Sequence, residues 1–588
     1  MFSKKNTRDG ANLQVSRRNL IGGMGAAMTA SGITACTRDT PKSFTAKSEM
    51  ITGTFSHGIA SGDPTQNAVI LWTRISPDNP AGGSVEVTWE VSLKEDFTNL
   101  ALSGVFETSQ TRNWTVKVDA IGLEPGLRYF YRFRTSDKTS PIGQTKTLPK
   151  GDVGSARFAV VSCANWQHGF FNVYDYISRQ DHFDALIHLG DYIYEYGADR
   201  YLDHPAGQQG RLHQPRHEII TLEDYRTRHA QYRTDIALQN LTAKMPLISI
   251  WDDHETSNDS WKTGAENHNA NEGDWEDRKT AALRAYYEWM PIREPRPGRV
   301  REDIFRTYDY GNLLTLVTLE TRLMARTEPL ILENDAAEIS ADPDAYKANV
   351  LWDPKREMLG QAQSEHITDA LSTSKKNGVK WRFLANQVVM GRVLTTDMTP
   401  YIDAETLDNI AVAWPGVKDV FELSRLNLPV YPDSWDGYPV ARENFYNKLK
   451  AVGVEDIVVL TGDSHEFWVN DLTSEKGDKM GVELGTSSVS SETLVNFMGD
   501  KTADYNLLIT QANSDVLYYN AVHNGFIDLI VTPEKATAKL IGIDTVLSKD
   551  YQIFDIAAFT LKHEKKSVRV TNPQGLNLKQ RALFSGLG

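Results

Sequence analysis

The sequence contains very little cysteine, with Cys36 and Cys163 the two in 588 residues. Cys36 falls in an N-terminal segment that we predict to be removed or acylated, so the rest of the chain cannot form an internal disulfide. Cys163 is therefore a free thiol. Although most free cysteines are small buried hydrophobes, its position at the end of a predicted strand favours a metal ligand.

Other absences exclude whole classes of protein. The dipeptide Gly-Lys does not occur, which excludes a nucleotide-binding P-loop. No Gly-x-Ser-x-Gly elbow is present, even around the serine-rich segment 487–491, which argues against a serine hydrolase. Basic residues are outnumbered, and the formal net charge of −14 argues against a nucleic-acid-binding surface.

The N-terminus lacks an apolar run long enough to span a bilayer, but it has the features of an export signal. The Gly/Ala-rich segment 21–35 is too short for a permanent span. It follows the sequence SRRNL at 16–20, which resembles a twin-arginine motif, and it ends in ITAC at 33–36, which resembles a lipobox. We therefore predict a signal over 1–36, export by the twin-arginine translocase, and attachment to a membrane through a lipidated Cys36. The destination would be the periplasm, the cell surface or the medium, and an ordinary signal peptide with an incidental cysteine is the alternative.

The remaining chain divides by the rhythm of its apolar residues. Residues 48–149 contain short alternating runs separated by Pro/Gly turns, which predict an N-terminal antiparallel β-sandwich. From 151 to 588, longer apolar runs alternate with helical patterns, which is typical of an α/β catalytic domain.

Six apolar runs in the second region predict buried strands, and polar residues follow most of them directly. The runs are 158–162, 185–189, 247–251, 313–319, 381–385 and 456–460. The first two flank a helical segment, 170–180, and form a predicted βαβ unit. Since parallel strands end at the same edge of a sheet, Cys163 and Asp191 should lie side by side there.

The residue types at these strand ends suggest a metal centre. A thiolate, a carboxylate and a phenolate, from Cys163, Asp191 and Tyr194, favour oxidised iron or another strongly Lewis-acidic ion. Asp, Asn and carbonyl oxygens favour Ca²⁺ or Mg²⁺. Two cations bridged by a carboxylate polarise a phosphoryl group and generate hydroxide near neutral pH, so hydrolysis of a phosphate ester is the natural interpretation.

The order of these blocks resembles a known enzyme family. Metallophosphoesterases carry blocks written D-x-H, G-D, G-N-H-[DE] and G-H-x-H, and the corresponding segments here read SCA at 162–164, GD at 190–191, DDHE at 252–255 and GDSH at 462–465. The four segments differ from the usual blocks in the way that one branch of the superfamily does. The chain resembles the PhoD-type alkaline phosphatase/phosphodiesterase family over about residues 50–545, including GIASGDP at 58–64, LWTR at 71–74 and SSVSS at 487–491.

The resemblance implies more than the spacing does. It implies a purple acid phosphatase-like αββα core, a metallophosphoesterase-like α/β fold, and a centre of Fe³⁺ and Ca²⁺. The implied iron ligands are Cys163, Asp191 and Tyr194, with Asp191 bridging. The residues implied to supply calcium, further iron or phosphate contacts are Asp253, Asn258, Asn386, Asp463 and His465. His254 is implied to contact the phosphate or protonate the leaving group, and Arg322 to clamp the phosphate; Glu320 stands where the family more usually has Asp.

The predicted function is an exported phosphohydrolase that cleaves phosphate mono- or diesters by attack of a metal-bound hydroxide. Phosphomonoesterase, phosphodiesterase and phospholipase D-like action remain open. A different class, a non-catalytic calcium-binding surface lipoprotein, is the alternative. The long segments 197–217 and 256–273 are predicted to be lids that decide substrate size.

Overall fold

The structure is a computed structural model that describes residues 52–80, 83–201, 204–399, 402–413, 416–499 and 502–574. The predicted signal, with its twin-arginine and lipobox features, lies outside these residues. Among the helices that are described, none has the length and apolarity needed to cross a membrane.

The strands form where β-branched, aliphatic and aromatic residues recur between turns. In chain order they are β1 (Gly53–Thr54), β2 (Ile59–Gly62), β3 (Ala68–Arg74), β4 (Ser76–Pro77), β5 (Ser84–Ser92), β6 (Leu100–Ser109), β7 (Thr115–Ile121), β8 (Arg128–Arg134), β9 (Gly143–Lys146), β10 (Ala156–Val161), β11 (Ala185–His188), β12 (Leu247–Ser249), β13 (Thr307–Tyr310), β14 (Leu314–Thr318), β15 (Trp381–Ala385), β16 (Ile457–Thr461), β17 (Phe467–Thr473), β18 (Lys479–Gly485), β19 (Val516–Asn520), β20 (Gly525–Val531), β21 (Ala536–Ile543), β22 (Ile553–Glu564) and β23 (Ser567–Gln574).

The α-helices connect or flank these strands. In chain order they are α1 (Asn172–Ser178), α2 (Pro205–Gln208), α3 (Leu222–Tyr232), α4 (Ile236–Lys244), α5 (Trp275–Trp289), α6 (Ala336–Ala341), α7 (Pro343–Tyr346), α8 (Gly360–Lys376), α9 (Ala404–Ala413), α10 (Val417–Leu423), α11 (Pro439–Ala451), α12 (Val495–Met498) and α13 (Thr502–Ala512).

Two large sheets organise the fold. A ten-stranded sheet has the order β23-β22-β21-β20-β10-β11-β12-β2-β3-β7, and a seven-stranded sheet has the order β13-β14-β15-β16-β18-β17-β19. The predicted βαβ unit is confirmed, because β10 and β11 pair in parallel around α1. The six predicted strands divide evenly: β10, β11 and β12 lie in the first sheet, and β14, β15 and β16 in the second.

The alternation of side chains along the strands makes four layers. On β10, Phe158 and Val160 face the seven-stranded sheet and join one core with residues such as Phe383. The intervening Ala159 and Val161 face the other way, into a core shared with α1 and α5. The outer face of the seven-stranded sheet packs on α8 and α11 in the same manner. Helices therefore cover both outer faces of two stacked sheets, which confirms the predicted αββα core.

The N-terminal region forms the predicted β-sandwich, but one of its layers belongs to the main sheet. A four-stranded sheet of order β6-β5-β8-β9 packs on β2, β3 and β7, and their buried residues share one core. Those three strands also extend the ten-stranded sheet, since Gly62 of β2 pairs with Leu247 of β12 in parallel. The catalytic sheet and the sandwich are thus joined through continuous strand pairing.

The helices α3 and α4 are separate although few residues lie between them. The Asp235 side chain accepts hydrogen bonds from the backbone N–H groups of Ala237 and Leu238 and so starts a new helix there.

Candidate metal centre

The carboxyl ends of four strands bring the predicted ligands together. Cys163 follows β10, Asp191 follows β11, and the segment 252–254 follows β12, so three neighbouring parallel strands end at one place. The loops are tied to one another, since the Cys163 N–H donates to the Gly190 carbonyl (3.2 Å). Asp463 and His465 follow β16 of the opposite sheet. The site therefore lies where the two sheets meet.

The backbone at this edge adopts an unusual conformation. Four of the predicted metal ligands have left-handed φ angles, which L-residues other than glycine rarely adopt. The angles are 61°, 56°, 62° and 62° for Cys163, Asp191, Asp463 and His465. Such residues cost about 1–3 kcal/mol each and concentrate at functional sites, where the surrounding structure holds them in place.

Gly190 allows two of these loops to approach closely. Its φ is 107°, and a Cβ built on it would lie 2.4 Å from the Cβ of Asp252 and 2.6 Å from the Asp252 N. Only a residue without a side chain fits between the β11 and β12 loops. The glycine therefore sets the spacing between Asp191 and the acids that follow β12.

Three groups of side chains in the described part of the chain could each hold a metal ion. In each group the ligand atoms lie within 4.8 Å of one another, and the groups are Cys163/Asp191/His465, Asp191/Asp253/His254 and Asp252/Asp253/Asp463. Asp191 and Asp253 each belong to two groups. Shared carboxylates of this kind are what a centre with more than one cation requires.

The buried oxygens of this site fit a bound cation. Asp191 Oδ1, Asp252 Oδ2 and Asp253 Oδ1 are buried and have no hydrogen-bond donor. A buried acceptor without a partner costs about 1–3 kcal/mol, and a charged one costs more. Cations bound to the ligand groups would satisfy these oxygens, since thiol, imidazole and carboxylate are ligands that transition and alkaline-earth ions accept.

Tyr194 joins the first group through hydrogen bonds. Its hydroxyl donates to Asp191 Oδ2 (3.1 Å) and lies 3.3 Å from His465 Nε2. Ser491 Oγ donates to the same hydroxyl at 2.7 Å. The sequence marks Ser491 only as part of the serine-rich segment 487–491, and its contact with Tyr194 is seen only in the structure.

The protonation of the first group depends on positive charge nearby. Burial, followed by the Asp191 carboxylate, raises the pKa of the Cys163 thiol well above its usual value. The same two causes, in the same order, raise the pKa of Tyr194. Thiolate and phenolate are therefore unfavourable here without a cation, and a bound cation reverses that preference.

His465 is held as a neutral imidazole beside the first group. Its Nδ1 donates to the Glu492 carbonyl (2.7 Å), because a carbonyl can only accept, and this leaves Nε2 facing the site. Burial lowers its pKa to about 4. A hydrogen bond that fixes the tautomer of a histidine is the usual support for a metal-bound imidazole.

His254 has the opposite charge preference, and its partner Glu195 was not predicted. Its Nδ1 lies 2.7 Å from Glu195 Oε2. Burial alone lowers the pKa of His254, but the carboxylates of Asp253 and Glu195 outweigh burial and raise it well above its ordinary value. The ring also packs on Tyr194, with centroids 4.1 Å apart. The surrounding carboxylates thus favour a protonated His254 while no cation is bound to them, and the ring is itself a member of the second ligand group.

Glu195 is fixed by the segment 256–273. It is fully buried, and its Oε1 accepts from the Asn258 backbone N–H (2.8 Å) and from Asn267 Nδ2 (2.9 Å). The Asn258 amide group donates to Glu266 (3.1 Å). The available sequence signal was only that Glu195 follows Asp191 by four residues in the same loop.

Asn386 follows its strand as predicted, but its amide has other partners. Its Nδ2 donates to the Val388 carbonyl (2.5 Å), and its Oδ1 accepts from Trp435 Nε1 (3.4 Å). These contacts stabilise the loop after β15. A metal-binding role for Asn386 stays a prediction.

Arg322 is fully buried and faces carboxylates. Its Nε donates to Asp252 (2.5 Å), its Nη2 donates to Asp463 (2.8 Å), and its Nη1 donates to Asp433, a residue not singled out from the sequence. Glu320 shapes this turn, since it accepts from the backbone N–H groups of 322, 323 and 324 and from Trp251 Nε1. The contacts favour a charge-balancing position, and the phosphate-clamp role stays a prediction.

Thiol, phenol, imidazole and carboxylate groups converge where the strand ends of two sheets meet in an αββα fold. This combination defines a metal-binding phosphohydrolase with a metallophosphoesterase-like fold. Family models and relatives identify the particular family. The model described as PhoD-like phosphatase matches residues 158–540, and that of the PhoD-like phosphatase N-terminal domain matches residues 40–149. The chain therefore belongs to the PhoD-like phosphatase family.

Relatives extend the similarity over most of the chain. "Alkaline phosphatase D" of Bacillus subtilis (strain 168) is 32% identical over 525 residues, which cover 88% of this chain and 82% of that protein. The solved structure "Structure of PhoD" has a TM-score of 0.70 and 29% identity, and the match covers 91% of this chain and 97% of the other. The predicted family and fold are confirmed, and the chain is a phosphohydrolase of this family.

Proposed function

We propose that this chain is an exported alkaline phosphatase/phosphodiesterase that releases phosphate or alcohol from phosphate esters at a centre of Fe³⁺ and Ca²⁺. The observation that carries the proposal is the set of three overlapping ligand groups, with unpartnered buried oxygens on Asp191, Asp252 and Asp253. The name of the Bacillus subtilis relative, "Alkaline phosphatase D", supports the same reaction class.

The ligands divide by their chemistry. Cys163, Asp191 and Tyr194 suit iron, since thiolate and phenolate are ligands of a strongly Lewis-acidic ion. The carboxylates of Asp252, Asp253 and Asp463 suit calcium. When bound, these ions supply the positive charge that binds and polarises the phosphate ester and its attacking water.

The chain's own residues position groups and move a proton. His254 belongs to the second ligand group, and Glu195 favours its protonated form, in which its free ring nitrogen can donate a proton to the oxygen of the departing alcohol. Glu195 holds the other nitrogen, which fixes the ring and stabilises its charge. No serine or cysteine nucleophile is needed in this scheme.

A diester is the second candidate substrate, and a cavity beside the centre favours it. The cavity is about 170 Å³ in volume and is lined by residues that include His168, His204, Ser491 and Glu492. Ser491 and Glu492 also contact Tyr194 and His465. The cavity could hold the second alcohol group of a diester, whereas a monoester would leave it to water. His204 belongs to the segment 197–217, in agreement with a role of that segment in substrate size.

The test combines metal content with turnover. Wild type and Cys163→Ala would be examined by elemental analysis and with p-nitrophenyl phosphate and bis-p-nitrophenyl phosphate. We expect iron and calcium in the wild type, loss of iron in the variant, and at least a 100-fold lower turnover. Ser374→Ala, which changes a buried side chain of α8 that has no hydrogen-bond partner, is the matched control. Calcium alone, with neither ester hydrolysed, would instead favour the calcium-binding surface protein.

Export completes the proposal. The leader over 1–36 supports transport by the twin-arginine translocase and a lipid on Cys36, with the mature protein at the periplasm, cell surface or outside the cell. Fractionation of cells that express wild type or Arg17→Lys/Arg18→Lys would test export. Mass spectrometry of the mature N-terminus would test the lipid, and an unmodified Cys36 in the exported protein would contradict it.

A further inference from the structure

A cluster of buried and partly buried charges contains one of the three ligand groups. It consists of four carboxylates and two guanidinium groups, from Asp252, Asp253, Asp433, Asp463, Arg322 and Arg326. We call it the Arg322 cluster. Three of its acids are also the members of the third ligand group.

Arg322 contacts all three acids of that group. Its guanidinium lies 2.5 Å from Asp252 Oδ1, 2.8 Å from Asp463 Oδ1 and 3.7 Å from Asp253 Oδ1, and its side chain is 0% exposed. Yet Asp252 Oδ2 and Asp253 Oδ1 still lack a hydrogen-bond donor. The same carboxylates therefore pair with a fixed guanidinium and still have oxygens that can bind a cation.

A second layer holds Arg322 in this position. Its Nη1 donates to Asp433, and the other oxygen of Asp433 accepts from Arg326. Arg326 is itself buried, and its Nε donates to Tyr438 Oη (3.2 Å), which donates to the Thr327 carbonyl (2.7 Å). Since each partner is tied to another, Arg322 cannot turn away from the acids without breaking several buried hydrogen bonds.

The charges of the cluster suggest what this arrangement does. Negative charge is in excess, because four carboxylates face two guanidinium groups and the Asp259 carboxylate lies nearby. The Asp259 backbone N–H donates to Asp253 (2.7 Å), and burial, followed by the Asp433 and Asp253 carboxylates, raises the pKa of Asp259. A divalent cation would neutralise part of this excess. A fixed positive charge on shared acids weakens their attraction for any further cation. It also keeps the acids partly compensated when no cation is bound, which limits the cost of burying them.

We propose that Arg322 is a built-in counter-cation that sets the divalent-cation affinity of the Asp252/Asp253/Asp463 group, and that Asp433, which also pairs with Arg326, takes up part of the Arg322 charge. The inference rests on the proposed assignment of calcium to this group. It gives Arg322 a role that is separate from contact with phosphate. By weakening the attraction of the shared acids for a cation, Arg322 keeps the cation at this position exchangeable.

Calcium binding to the full chain, after EGTA treatment, tests the proposal by isothermal titration calorimetry. Arg322→Met removes the competing charge, so Ca²⁺ should bind at least 10-fold more tightly. Asp433→Asn removes one unit of the excess negative charge and leaves Arg322 fully committed to the shared acids. Ca²⁺ should then bind at least 10-fold more weakly, although Asp433 is not in the ligand group.

Arg382→Met is the matched control. Arg382 is a buried arginine that pairs with Asp456 through two hydrogen bonds of 2.8 and 2.5 Å, in a strand away from the Arg322 cluster. Its loss should leave the Kd for Ca²⁺ within about two-fold of wild type. This control separates the effect of the shared acids from that of losing any buried ion pair.

The outcomes distinguish the inference from the proposed function. Unchanged or weaker Ca²⁺ binding in Arg322→Met would overturn the inference. Unchanged Ca²⁺ binding in Asp433→Asn would overturn it as well. If Arg322→Met does not fold, the Asp433→Asn result alone is the test. Wild type that binds no Ca²⁺ would overturn both the inference and the calcium assignment. Ester hydrolysis is measured separately. If the Ca²⁺ affinities of the variants contradict the inference while the wild type still hydrolyses phosphate esters, the inference fails and the proposed phosphohydrolase function stands.

Discussion

Single residues of the centre carry conformational strain that the fold must hold. The left-handed φ angles at Cys163, Asp191, Asp463 and His465 place four predicted ligand side chains at sharp turns after strands. A turn of this kind lets a strand end inside the protein and still present its next side chain to a shared point. The strain is therefore best understood as part of how the ligands converge.

Glu195 provides a prediction at this scale. Glu195→Gln keeps the shape of the side chain but removes the negative charge that fixes and stabilises protonated His254. We expect kcat to fall about 10- to 100-fold, the range for supporting residues of catalytic groups. KM and metal content should stay as in wild type. Steady-state kinetics with p-nitrophenyl phosphate and elemental analysis would measure these three quantities.

Glu266→Gln is the control for this variant, because Glu266 is exposed and bonds Asn258 in the same segment without contacting His254. It should behave like wild type. An unchanged kcat in Glu195→Gln would rule out the positioning role. Loss of metal from that variant would mean that Glu195 supports the cations instead.

At the scale of elements, the sequence predicts strands well because the signal is local. In the sequence, a buried strand corresponds to a short apolar run followed by polar residues. All six runs predicted in the catalytic region form strands. Which strands pair is not local information. The division of the six between two sheets, and the addition of β2, β3 and β7 to the catalytic sheet, depend on contacts between distant parts of the chain.

The same limit explains what the sequence does not reveal at the site. Asn386 follows a strand just as Asp191 does, but its amide bonds Val388 and Trp435, and nothing in its local sequence predicts those partners. Glu195 and Asp433 lie in loops with no motif that marks them. Residue types at strand ends predicted most members of the three groups, whereas the membership of Asp252 and the supporting residues Glu195 and Asp433 required the structure.

The junction between the sandwich and the catalytic sheet offers a prediction for an element. A Cβ on Gly62 would lie 2.6 Å from the Leu247 carbonyl oxygen and 2.6 Å from that of Pro291, both of them backbone atoms. Gly62→Ala should therefore force β2 away from β12 and destabilise the protein by about 1–3 kcal/mol, as overpacking does. Guanidinium unfolding would measure the loss, and amide hydrogen exchange should locate it at β2 and β12.

Gly154→Ala is the control for the junction, since a Cβ there would meet nothing within 4 Å. Its stability should stay within about 0.5 kcal/mol of wild type. If Gly62→Ala were equally neutral, β2 would not be tightly paired with β12, and the sandwich would behave as an independent domain.

At the scale of the whole molecule, the centre connects the two sheets. Cys163, Asp191 and Asp253 follow strands of the ten-stranded sheet, whereas Asp463 and His465 follow a strand of the seven-stranded sheet. A cation bound by ligands from both sheets would link the two central layers of the fold. Metal binding and global stability should then be coupled, because the cation binds the folded chain and not the unfolded one.

Removal of calcium should accordingly lower the unfolding temperature, and a 100-fold excess of Ca²⁺ over its Kd should restore about 2.7 kcal/mol. Asp253→Asn removes a carboxylate that belongs to two ligand groups, so the rise in unfolding temperature on adding Ca²⁺ should fall below half of the wild-type rise. Differential scanning calorimetry with and without EGTA measures both changes.

Asp550→Asn, at an exposed position, is the control and should respond to Ca²⁺ as wild type does. Equal unfolding temperatures with and without Ca²⁺ in the wild type would mean that the two sheets are held together without this cation, and that the acids at their shared edge are not its binding site.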